Sequence, residues 1–167
     1  MIVVDVNVLI AAFRADHPHH SLANPWFSSR LAGPEHIIVL DAVWTGFLRI
    51  VTHPAVFLQP SNLAEAAKFI KDVCAAPAYT TMPAPPDAPA RLASLCLESQ
   101  STGNLVPDAW IAMCALASGS DVATFDRDFR RFDALRLLTP VAAGQTATHT
   151  SDLGCGDDPL PSSAATK

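Results

Sequence analysis

The sequence predicts a single α/β domain, and three observations carry that prediction. Strand-like and helix-like segments alternate along the chain. Half of the 167 residues are apolar, which supplies a hydrophobic core and argues against disorder. The length suits one domain and leaves little room for a second.

The elements follow in order. Residues 2–5 are apolar and largely β-branched up to Asp5, and they read as a central parallel strand with an acid at its carboxyl end. A short helical segment is expected over Val6–Phe13, and His17-Pro18-His19 breaks the chain. A helix over residues 19–32 stops at Gly33-Pro34. Ile37–Leu40 reads as the second strand, after which Asp41 is the expected N-cap of a helix carrying Val43, Trp44, Phe47, Leu48, Ile50 and Val51. That helix is apolar around much of its circumference, which points to burial or to a partner; His53-Pro54 ends it. Ser61 is the expected cap of the next helix, where Leu63, Ala66, Ala67, Ile70, Val73 and Cys74 recur with amphipathic spacing.

Ala78–Met82 reads as a short strand, Pro83–Pro89 as a connection, Arg91–Ser101 as helix and Gly103-Asn104 as a turn. Pro107 suits the first position of a helix running to about Gly119. Asp121–Phe125 is expected as a strand with Asp126 at its end, and Phe129 and Phe132 pack on the turn beyond it. Leu135–Leu138 is the last short strand, and Pro140 closes a domain of residues 1–140. Residues 141–167 turn to small and polar residues without apolar period, and are expected as a flexible tail.

Composition narrows the function classes. The N-terminus reads directly as a strand rather than as a secretory signal, and charge or proline interrupts the longer apolar stretches, so no transmembrane helix is expected. Cys74, Cys96, Cys114 and Cys155 form no C-x-x-C pair, and the first three read as core residues; a reduced, cytoplasmic setting follows. The net charge of −5 runs against a nucleic-acid partner unless the acids gather around cations. The distribution of charge matters more than its sum, and the tail adds Asp152, Asp157 and Asp158 against Lys167 alone.

The placement of those acids is informative. Asp5 and Asp126 end strands, and Asp108 opens a helix where its carboxylate can face a cleft. In an open α/β sheet the ligand site lies beyond the carboxyl ends of the strands, so distant acids can converge there. Clustered carboxylates repel unless a cation joins them, and an oxygen-only ligand set suits Mg²⁺ or Mn²⁺. Each acid also has a plain reading: Asp5 as a cap, Asp108 as a helix-dipole partner, Asp126 and Asp128 as turn residues.

Three segments resemble the PIN-domain ribonucleases, and in particular the VapC toxins. They are Val4-Asp5-Val6-Asn7-Val8-Leu9-Ile10, Pro107-Asp108-Ala109-Trp110-Ile111-Ala112 and Ala123-Thr124-Phe125-Asp126-Arg127-Asp128-Phe129, in the family's order across residues 1–140. The resemblance implies an α/β/α sandwich with a mostly parallel sheet flanked by helices. It implies a Mg²⁺- or Mn²⁺-dependent endoribonuclease with Asp5, Asp108 and Asp126 as catalytic acids, and these three with Asp128 as metal ligands. It further implies an RNA substrate, a cognate antitoxin protein and a homodimer. One departure stands out: Gly46 falls where many PIN domains carry a Glu, so the site has one acid fewer. Asp128, Asp41 or the hydroxyl of Thr45 are the residues nearest to hand to compensate.

Other residues are weighed beside these. Asn7, Arg127 and Arg130 are the candidate substrate contacts; Arg131 and Arg136 belong to the same basic cluster, whose plain reading is a solvated surface. Arg49 reads either as a substrate contact or as half of an internal ion pair. The six histidines lack zinc-site spacing and read as solvated or capping, with His17 or His20 able to reach RNA at the cleft mouth. Trp26, Trp44 and Trp110 read as core. A phosphatase or phosphotransfer fold using Asp5 as nucleophile is disfavoured by Asn7 in place of a second Asp, and by the absence of any Lys between Lys71 and Lys167. The rival from another class is a PIN-like module that only binds RNA or protein, for which Gly46 is the best support.

Overall fold

Among the described residues, five short strands form one all-parallel sheet in the order β3-β2-β1-β4-β5. The structure is a computed structural model that describes residues 1–141; the tail expected beyond Pro140 lies outside the described residues except for Val141. The strands are β1 (Ile2–Val4), β2 (Ile37–Ile38), β3 (Tyr79–Thr80), β4 (Asp121–Ala123) and β5 (Leu137–Leu138). β1 lies at the centre, with Ile2 in register with both Ile37 and Asp121. Burial on both faces explains its unbroken run of Ile2, Val3 and Val4, none of which reaches solvent.

Among the described residues, six helices flank the sheet: α1 (Val6–Phe13), α2 (His20–Leu31), α3 (Asp41–Val51), α4 (Leu63–Cys74), α5 (Ala88–Ser99) and α6 (Val106–Ser118). α1 packs on α2 and α3, α3 packs on α4, and α5 packs on α6. This is the α/β/α arrangement the resemblance implies. Among the described residues no helix is long and apolar enough to cross a membrane.

Several local expectations are corrected. The strands are shorter than read, because Asp5, Thr124 and Phe125 have already left the sheet to build the turns beyond it. Asp41 is the first residue of α3 rather than its cap, and Leu40 holds the cap position without a side-chain bond. Asn62, not Ser61, caps α4, accepting from the Ala64 N–H at 2.8 Å. Ser61 instead accepts from Arg14 Nη1 at 2.8 Å. Pro89 lies in the first turn of α5, where its missing N–H costs nothing, so the connection before that helix is shorter than the proline run. Cys114 is core, but Cys74 is exposed and Cys96 half-buried.

α3 also differs from its reading. Val43, Phe47 and Val51 form a buried stripe at helical spacing, and Trp44, Leu48 and Ile50 flank it half-buried. Arg49 points to solvent and makes no ion pair among the described residues, so its internal-pair reading falls. The most uncovered apolar side chains lie elsewhere: Val56 (53% exposed), Leu58 (103%) and Leu63 (63%) on the α3–α4 connection and the start of α4, and Leu97 (81%) on α5.

Two features hold α1 in place. Its last carbonyls have no intrahelical donor. Those of Ala11 and Ala12 are met by His20 Nδ1 at 2.8 Å and Asn24 Nδ2 at 2.9 Å, which fastens the α1–α2 turn. Arg14 then engages all five guanidinium hydrogens. Nε and Nη2 donate to Asp16, Nη1 donates to Ser61, and Nη1 and Nη2 share the Gln59 carbonyl. The sequence reading did not single out Arg14, whose buried role is to tie α1 to the α3–α4 connection.

Candidate active site

The strand order reverses direction between β1 and β4, since β2 and β3 lie to one side and β5 to the other. The connections leaving these two neighbours therefore diverge, and a crevice opens at their carboxyl ends. Asp5 follows β1, and Asp126 follows β4 after two residues.

Asp5 is the centre of this region. It is 2% exposed. Its extended backbone makes it the cap of α1, and its Oδ1 accepts from the Val6 N–H at 2.6 Å. Its Oδ2 accepts from the Thr124 hydroxyl at 2.7 Å. Burial pushes its carboxyl up to about 7, with repulsion from Asp108 and Asp126 adding to the rise and the two hydrogen bonds opposing it. Asp108, in the first turn of α6, is half-buried; burial and repulsion from Asp126 and Asp128 raise it to about 6, against the pull of Arg131. Asp126 and Asp128 are exposed, and Asp126 Oδ1 caps the following 3₁₀ turn (Arg127–Arg131) by accepting from the Asp128 N–H at 2.8 Å.

The four acids thus act on one another from one end of the sheet. They are not drawn into a finished ligand set: among the described residues no three His, Cys, Asp or Glu side chains stand together closely enough to hold a metal ion. Mutual repulsion between uncompensated carboxylates opposes closer approach. The donor chemistry nonetheless fits a hard divalent cation, because the set is all oxygen and includes a buried acid whose ionisation a neighbouring positive charge would favour.

Thr124 is the residue the sequence reading passed over. It is 2% exposed. Its hydroxyl donates to Asp5 and accepts from Asn7 Nδ2 at 3.0 Å and the Asp126 N–H at 2.9 Å, so its donor and both lone pairs are used. A buried hydroxyl two residues before a candidate acid was the available signal. Asn7 completes the clamp, its Oδ1 accepting from the Phe125 N–H at 3.3 Å. Its amide therefore faces inward, joining α1 to the turn after β4.

Replacing Thr124 by Val leaves Asp5 Oδ2 without its donor and two N–H groups without their acceptor. We expect Thr124→Val to lose about 2–3 kcal/mol of stability and at least roughly tenfold in any activity of the acid site, with Thr124→Ser restoring most of both. Urea unfolding and assays of the three chains test this; full activity in the Val variant would refute the clamp.

The remaining candidates sort as follows. Gly46 lies on α3 against α1: a Cβ there would meet Val6 Cγ2 at 3.6 Å, an ordinary contact, one residue from Asp5. The position supplies no carboxylate. Thr45 donates back to the Asp41 carbonyl at 3.0 Å, and Asp41 is not among the acids whose charge bears on Asp5 or Asp108. Arg131 pairs with Asp128 at 3.5 Å and Arg136 with Asp121 at 2.5 Å. Arg127 and Arg130 are exposed and make no ion pair among the described residues.

Comparison with known proteins identifies the family and the fold. A family model described as PIN domain matches residues 2–135. The chain is 39% identical over 140 residues to ribonuclease VapC31 of Mycobacterium tuberculosis, covering 84% of this chain and 99% of that protein. It is 39% identical, over the same length and shares, to ribonuclease VapC25 of the same organism. Among solved structures, VapBC2 from Rickettsia felis, bound to a DNA fragment from their promoter, has the same fold. The TM-score is 0.61 at 19% identity, over 83% of this chain and 98% of that one.

Proposed function

The chain belongs to the PIN-domain family, among the VapC ribonucleases, and from that premise we propose that it is the toxin of a toxin–antitoxin pair, an endoribonuclease dependent on Mg²⁺ or Mn²⁺. The observation that carries this reading is the buried Asp5 at the reversal point of the sheet, near enough to Asp108 and Asp126 to feel their charge. Such an arrangement is costly for a fold and serves best as a cation site. Asp5, Asp108 and Asp126 would hold the metal, with Asp128 at the edge. When bound, a divalent cation there supplies polarisation of a phosphoryl oxygen and a lowered pKa for water.

The chain's own residues do the positioning. Thr124 and the Val6 N–H orient the Asp5 carboxylate. Asn7, first read as a substrate contact, acts through this clamp by holding the turn that carries Asp126. Arg127 and Arg130 on that turn offer guanidinium donors to the RNA phosphates flanking the scissile bond. They place positive charge beside the site in a chain of net charge −5.

Its partners follow the same reading. The exposed Val56, Leu58 and Leu63 offer apolar surface that a protein partner would cover, and an antitoxin helix laid there can bring an Arg or Lys to the acids. The chain forms a homodimer, and its RNA substrate places it in the cytoplasm.

The test is cleavage of total cellular RNA by purified protein, with Mg²⁺ or Mn²⁺ and with a chelator. Wild-type chain cuts only with metal, and Asp108→Asn loses at least roughly a thousandfold in rate without loss of fold. RNA bound but uncut at every metal concentration would instead favour the binding-module reading that Gly46 supports.

A further inference from the structure

Resting on the ribonuclease reading, we propose that the rings of His19 and Phe125 form a stacking platform at the mouth of the acid cleft, which seats an unpaired nucleobase of the RNA substrate. The two rings lie nearly parallel, with centroids 4.5 Å apart and planes 15° apart. His19 is exposed and gives one side to Phe125. The His17 ring stands 5.7 Å away, tilted by 45°.

The position of this stack relative to the acids is set by hydrogen bonds. Phe125 immediately precedes Asp126, and its N–H is held by Asn7, which is held in turn by the Thr124 hydroxyl that orients Asp5. On the other side, the α1–α2 turn is fixed by the His20 and Asn24 bonds to α1 and by the His19 N–H donating to His17 Nδ1 at 3.1 Å. An exposed ring backed by a half-buried one and so anchored is preorganised, so little ordering cost opposes stacking on it. Burial, and then the neighbouring His19, hold the His17 imidazole below its usual range. Aromatic side chains bind single-stranded RNA by stacking that tolerates any base, which suits a platform that positions the chain while the acids act on the adjoining phosphate.

The test uses the full chain and a labelled single-stranded RNA of about 12 nucleotides. Binding is followed by fluorescence anisotropy in the Asp108→Asn background, and cleavage in the wild-type background. His19→Ala is expected to weaken binding roughly tenfold and to raise KM with little change in kcat, at an unchanged melting temperature. His19→Phe keeps affinity within about twofold, because stacking survives loss of the imidazole nitrogens. Phe125→Leu, which keeps the apolar packing and the backbone N–H, follows His19→Ala. The platform is overturned if His19→Ala binds as wild type, or if His19→Phe is as weak as His19→Ala, which would assign the ring a hydrogen bond or charge instead. A wild-type chain that neither binds nor cuts RNA overturns the ribonuclease reading itself; RNA cut normally by His19→Ala removes only the platform.

Discussion

Asp5→Asn is expected to abolish metal-dependent RNA cleavage while making the metal-free protein more stable at alkaline pH. The sign follows from the raised carboxyl. Its folded value of about 7 lies above the ordinary 3.8, so the folded state holds the proton more tightly than the unfolded chain. That contribution is fully present below about pH 4 and is lost as pH rises through about 7. For a group this buried the difference is worth up to about 4 kcal/mol. Asp108 works in the same direction, through its own value of about 6. In chelator, wild type therefore weakens from pH 4 to pH 8. The Asn variant loses only the Asp108 share and ends roughly 2 kcal/mol more stable at pH 8, after allowing for a poorer bond to Thr124. Added Mg²⁺ restores wild type but not the variant. Urea unfolding at the two pH values, with and without Mg²⁺, measures all of this. Parallel pH profiles for the two chains would show that Asp5 carries no buried charge.

Phe47→Ala should produce the largest loss of stability. Phe47 is fully buried and meets Phe13 at 5.3 Å, Phe69 at 5.4 Å and Trp44 at 6.0 Å between ring centroids. It joins three helices: α1 through Phe13, α4 through Phe69 and its own α3. Truncation removes the apolar transfer energy and leaves a cavity that three separately anchored rings cannot close, at a cost of about 3–5 kcal/mol. Against the ~5–15 kcal/mol typical of a domain, that is a large share. The melting temperature should fall by roughly 10 °C or more. Cleavage by the folded fraction at low temperature should persist, because Phe47 touches none of the acids. A fall of under about 1 kcal/mol would mean that the rings collapse into the space.

Much of this protein is legible in its sequence, because local chemistry decides it. The β-branched run at Ile2–Val4 admits little but a buried strand, and the reading of α1 as Val6–Phe13 coincides with the helix found. α4 and α6 were legible for the same reason, from amphipathic spacing in one and Pro107 and Gly119 at the ends of the other. The order of the Asp5, Asp108 and Asp126 segments also sufficed to point to the PIN-domain family. The caps were less legible: Ser61 and Asn62 are equally good capping residues, and the long-range pull of Arg14 on Ser61 decided between them.

What the sequence determined by itself was the set of elements and the acids at their ends. Only the tertiary structure decided which acid is buried, what holds it and what lies beside it. Thr124 and Asp5 are 119 residues apart, and Asn7 and Thr124 are 117 apart, so no periodicity announces their contact. His19 and Phe125 meet because the α1–α2 turn and the turn after β4 share one end of a parallel sheet. The physical reason is that pKa, burial and stacking depend on distance in space, which parallel pairing of β1 with β4 sets and sequence spacing does not.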